Sequence, residues 1–192
     1  MDLGKKLSAI FIGLFLSVAV FANGTVFQAK ELYNEMKLNG LIKYDVFVQG
    51  VEGFNKIDKK EKNILTIVDF SLPSTEKRMY VLDLEKKELL FKSYVSHGKN
   101  TGDLYAESFS NAAESNKSSL GFFMTEAPYK GSNGYSLRLA GLEKGINDNA
   151  MKRNIVVHGA DYANPEIIKT SGRLGRSFGC FAVPEDMNNE II

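Results

Sequence analysis

The chain has 192 residues, with 24 lysines and arginines against 23 aspartates and glutamates. That length suits one domain with a proper core, and 44% hydrophobic with 24% charged residues is globular composition, which excludes a disordered or fibrous chain. The near-neutral balance offers no basic surface for nucleic acid or for an anionic membrane. The first 22 residues stand apart. Lys5 and Lys6 precede an apolar run, Leu7 to Phe21, and Val20-Phe21-Ala22 supplies the cleavage-recognition positions. This is the pattern of a secretory signal. A membrane anchor is the alternative, but the run of about 15 residues falls short of the roughly 20 that a span needs. No cysteine near the junction marks a lipid attachment. The expectation is cleavage after Ala22, export to the periplasm or cell-wall space, and no stable membrane anchor afterwards. Loss of Lys5, Lys6 and Asp2 leaves 22 charges of each sign.

Residues 26–43 carry an apolar stripe at helical spacing and predict one helix packed onto the main body. Residues 55–63 read as a charged connector, so 23–60 form an N-terminal helix and connector and 61–192 the main domain. NILTIVDFSL, RMYVLDL and ELLFKSYVSHG predict strands and hairpins. Residues 99–119 are polar and predict a long loop, of a length that is often functional. SLGFFMTEA and YSLRLAGL predict strands, with YKGSNG as the turn between them. NIVVHG predicts a buried strand ending at His158. In NPEIIKTSG, Asn164 is the expected N-cap, Pro165 opens the helix and Gly172 ends it. The fold class is mainly β, with an N-terminal helix and one short helix before a cysteine loop. Loops at one end of the sheets should carry His97, His158 and Cys180.

That loop is GRLGRSFGCFAVP, residues 172–184, and it holds the single cysteine, Cys180. Exported proteins use cysteines in pairs. An unpaired one is a buried small hydrophobe, an intermolecular bridge or a working thiol. A thiol attacks only as thiolate, and its ordinary pKa is about 8.5. Arg173 and Arg176 would lower it by their charge, unless they only form a solvated face. Gly179 permits a strained turn, and the N–H groups of Phe178-Gly179-Cys180 suit an oxyanion hole. His97 and His158 each end a strand and precede a glycine, which suits a general base. A hydrogen-bonded strand-end histidine is the plainer reading of both. A zinc site of His97, His158 and Cys180 fits by ligand type but lacks a fourth ligand and a closely spaced ligand pair.

The run HGADYANPEIIKTSGRLGRSFGCFAVP resembles the signature of the murein L,D-transpeptidase catalytic domain family, a YkuD-like branch. SHGKNTG, FSN, KSSLGFFMT, NGYSLRLAGLEKGINDNA and RNIVVHGA extend the resemblance over about residues 65–187. It implies a YkuD-like β-sandwich or mixed sheet, Cys180 as nucleophile and His158 as base, with Ser177 and Gly179 in the same signature. The widespread pattern has histidine at the position of Phe178 and arginine at that of Ala182, so Arg173 or Arg176 would supply the missing charge. Such domains usually continue with another strand past this point. The implied reaction joins peptidoglycan stem peptides through a Cys180 thioester and needs no metal or organic cofactor. Carbapenems are the implied inhibitors. Water as acceptor would make an L,D-carboxypeptidase, and loss of chemistry would leave a wall-binding module.

Overall fold

A computed structural model describes residues 27–58 and 60–192. The export signal read over residues 1–22 lies outside them. Helices α1 (Ala29–Glu35) and α2 (Tyr44–Asn55) come first, followed by strands β1 (Ile64–Val68), β2 (Met79–Asp83) and β3 (Glu88–Ser93). Strands β4 (Phe123–Gly131), β5 (Gly134–Gly141), β6 (Val156–Gly159) and β7 (Phe181–Val183) form a second sheet. A 3-10 turn (Asp161–Ala163) and helix α3 (Glu166–Ser171) connect β6 to β7, and α4 (Glu185–Ile191) follows. The fold is mainly β with two sheets and short helices, as the sequence implies. No described helix is long and apolar enough to cross a membrane.

The first sheet is an antiparallel meander, β1-β2-β3. The helix pair lies on it, and Leu38, Phe47, Val51, Leu65, Tyr80 and Leu82 share one core. The single helix expected over 26–43 is broken. Lys37 and Gly40 take positive φ (53° and 77°), turning the chain at Asn39-Gly40, and a second helix begins at Tyr44. The glycines of α2 lower its helix propensity, which hides it in the sequence. They serve packing instead: a Cβ on Gly53 would meet the Phe122 ring at 2.0 Å.

The second sheet runs β4-β5-β6-β7, antiparallel except for the parallel pair β6–β7. The β4–β5 hairpin is tighter than expected. Tyr129 and Lys130 still pair with Ser136 and Tyr135, so only Ser132 and Asn133 turn. Edge strand β4 tolerates Pro128 at a register irregularity. Gly172 closes α3 at φ 71° as read, whereas the N-cap is Pro165, one residue after the expected Asn164, whose Oδ1 still accepts the Glu166 N–H (2.9 Å). The residues after Pro184 form α4, which packs on β6 and β5 where no element was expected.

Candidate active site

Parallel pairing of β6 with β7 builds the site. Val157 pairs with Phe181, His158 with Ala182 and Gly159 with Val183. Val157, Phe181 and Val183 enter the core, where Phe181 stacks on Phe70 (5.9 Å) and meets Phe123 edge-on (5.7 Å). Strand alternation sends His158 and Ala182 to the opposite face. One residue before β7, the same alternation puts Cys180 on that face. Ala182 packs there with Ala160, Ala163 and Tyr162. The Tyr162 ring stands edge-on to His158 (6.4 Å).

His158 is buried. Its Nδ1 lies 2.9 Å from the Gly159 carbonyl, which can only accept, so Nδ1 carries the proton and Nε2 keeps its lone pair. Burial lowers its pKa from the ordinary value, against the raising effect of that carbonyl. The Cys180 S–H donates to the Asn154 carbonyl (3.4 Å). Burial pushes the thiol upward, opposed by the Val156 N–H and by Arg153. The expectation of a lowered thiol pKa is therefore corrected: desolvation outweighs the nearby charge. At neutral pH both partners are uncharged.

The cation facing the thiol is Arg153, a residue the sequence reading passed over. Its Nη1 donates to the Ser110 carbonyl (2.7 Å) and Ser119 Oγ (2.6 Å), and its Nη2 to Ser115 Oγ (3.2 Å) and the Lys117 carbonyl. Arg173 and Arg176 are committed elsewhere. Both reach Asp103 Oδ1, at 2.6 and 3.2 Å, and Arg176 also donates to the Gly102 carbonyl (3.1 Å). They clamp the start of the 99–119 loop to the cysteine loop.

His97 also leaves the expected cluster. It is buried, with Nδ1 2.8 Å from the fully buried Arg78 guanidinium and Nε2 3.3 Å from the Gly102 carbonyl. Burial, and next the Arg78 charge, lower its pKa to about 4. With both ring nitrogens engaged, His97 cannot join His158 and Cys180 around zinc. No group of three metal-ligating side chains occurs among the described residues.

The turn around the sulfur is stapled by Ser177. Its Oγ accepts the Gly179 N–H (3.0 Å) and donates to the Cys180 carbonyl (2.7 Å). The Gly179 amide is thereby spent and is no oxyanion donor, which narrows the expected hole. Gly179 has φ 123°, and a Cβ there would meet the Lys117 carbonyl oxygen at 2.8 Å. Its own carbonyl accepts from Ser118 Oγ (3.3 Å). Phe178 is 70% exposed, with Lys99 Nζ 4.4 Å from its ring centroid. A cleft lined by Ala160, Asp161, Asn164, Glu185 and Asp186 opens beside the end of β6, and Cys180 is not among its walls.

A family model described as the L,D-transpeptidase catalytic domain matches residues 38–192, taking in α2, both sheets and the whole site. No curated protein and no solved structure matches the chain. With the match spanning most of its length, the chain belongs to the L,D-transpeptidase catalytic domain family.

Proposed function

We propose that the protein is a peptidoglycan L,D-transpeptidase that works through a Cys180 thioester. What supports this reading is the parallel pairing of His158 with Ala182, two residues after Cys180, with His158 Nδ1 held by the Gly159 carbonyl so that Nε2 keeps its lone pair. His158 Nε2 takes the thiol proton as the sulfur attacks the carbonyl of the third, diamino-acid residue of a donor stem. The C–N bond to the terminal D-alanine breaks, and His158 returns the proton to the leaving amine. A thioester remains. An amine of a second stem attacks it, giving its proton to His158, and the sulfur leaves as the thiol. The Cys180 N–H is the backbone donor best placed for the oxyanion, since the Gly179 amide already serves Ser177. The exposed Phe178 ring beside the loop offers an apolar surface to the stem.

The reading calls for an exported protein acting in the periplasm or cell-wall space, with the residue 1–22 signal removed. Carbapenems should acylate the same sulfur, because their strained amide resembles the donor carbonyl.

The test is incubation with purified tetrapeptide muropeptides and mass spectrometry of the products, beside Cys180→Ala and His158→Ala. Cross-linked dimers with loss of one D-alanine support transpeptidation. Tripeptide products alone show water as acceptor and make the enzyme a carboxypeptidase. Equal products from Cys180→Ala contradict both.

A further inference from the structure

The expected thiolate-stabilising arginines face Asp103, so the charge partner of the sulfur must be sought in the fold. Arg153 and Asn154 close the segment that leads into β6. The Asn154 carbonyl holds the Cys180 S–H at 3.4 Å, so the sulfur lies directly against this segment. Arg153 Nη2 sits 3.3 Å from the point a Cβ on Gly179 would occupy, which places the guanidinium against the residue preceding the cysteine. Its four hydrogen-bond partners are two carbonyls and two hydroxyls, all neutral. Among the described residues, no carboxylate pairs with it. A partly buried cation without a counter-ion favours any anion formed beside it.

We infer that Arg153 is the positioning residue for the Cys180 thiolate, and that it ties the nucleophile to the loop spanning Ser110, Ser115, Lys117 and Ser119. The inference rests on the reading of Cys180 as nucleophile. Thiolate formation would break the Asn154 contact, since a carbonyl oxygen repels an anion. The charge then turns toward the Val156 N–H and Arg153, both of which stabilise it. The other titratable groups on this face oppose ionisation or stay neutral: Tyr162 is itself pushed up to about 12 by burial and by the cysteine, and His158 is held neutral. Among the described residues, Arg153 is thus the one group whose positive charge favours the thiolate. Because loop atoms hold its fork, a stem peptide that shifts residues 110–119 would move the cation relative to the sulfur.

The chain has one cysteine, so alkylation by uncharged iodoacetamide reports Cys180 alone. The experiment follows the alkylation rate of the full chain against pH for the parent, Arg153→Met, Arg153→Lys and, as a control, Arg176→Gln. Arg153→Met should raise the half-point by about one pH unit, which is about tenfold slower alkylation below it. Arg153→Lys should shift less than half as far, and Arg176→Gln should match the parent. Ser115→Ala combined with Ser119→Ala should raise the half-point with Arg153 in place. A parent-like Arg153→Met, or an Arg153→Lys shifted as far as Arg153→Met, overturns the inference. An unshifted serine double variant overturns the link to the loop. If Arg153→Met loses the parent circular dichroism spectrum, Arg153→Lys decides: a half-point near the parent supports the role, and a full-unit rise refutes it. Alkylation needs no stem peptide, so failure of the parent to process muropeptides would count against the proposed reaction without touching this result.

Discussion

Gly179 is the residue on which the cysteine turn depends. Its φ of 123° disfavours any side chain, and the Lys117 carbonyl and Ile155 Cδ1 fill the space a methyl would take. Gly179→Ala should therefore cost about 1–3 kcal/mol, measured by urea unfolding; stability equal to the parent would show that the turn can relax. The ionisation of Cys180 gives a second test at this scale. Burial raises the thiol and lowers His158, so no thiolate–imidazolium pair forms in the resting enzyme. Alkylation should keep climbing through pH 8 and past the range of an ordinary thiol at about 8.5. A plateau already reached at pH 6 would reveal a preformed ion pair and contradict the neutral starting state.

Elements show which parts of the sequence are legible and which are not. Strand β6 was readable because NIVVHG is a short apolar run ending at His158, whereas β7, three residues leaving the cysteine loop, and its parallel pairing with β6 were not. His158 and Cys180 were singled out by residue type and by the glycine-rich loop, not by that pairing. Arg153 was not readable, because its partners lie in the 110–119 loop and meet it only once the loop has folded back. Arg173 and Arg176 misled for the opposite reason: sequence proximity to the cysteine says nothing of where a side chain points. Helix α2 escaped because Gly50 and Gly53 break a good helical pattern, and their causes, the approach of Ile67 to Gly50 and of Phe122 to Gly53, belong to other elements. The Phe122 contact makes a prediction opposed to propensity. Alanine in place of a helical glycine normally gains about 1 kcal/mol, yet Gly53→Ala should lose about 1–3 kcal/mol through overpacking against Phe122. Thermal unfolding checks the sign, and a raised midpoint would refute the packing argument.

Over the whole molecule, one core binds the helix pair to the first sheet and another fills the second sheet, with α2 touching Phe122 at the entrance to β4. The Arg78–His97 pair anchors the far side of the loop that covers the cysteine turn. Its chemistry predicts an acid weakness. His97 titrates near 4 when folded and near 6.5 when unfolded, so between those values the unfolded chain binds the extra proton. Stability is then complete above pH 6.5 and falls as the pH drops toward 4, by about 3 kcal/mol at the limit. Urea midpoints at pH 7 and 4.5 should converge more in His97→Gln than in the parent; an identical acid loss in both would remove His97 from the account. The central claim remains the free thiol on the face it shares with His158, and intact-mass measurement of the protein mixed with a tetrapeptide donor tests it most directly. The account predicts a transient mass gain equal to the acyl group left after loss of D-alanine, mapped to Cys180 and missing from Cys180→Ala. Donor consumption at the parent's rate by Cys180→Ala would contradict it.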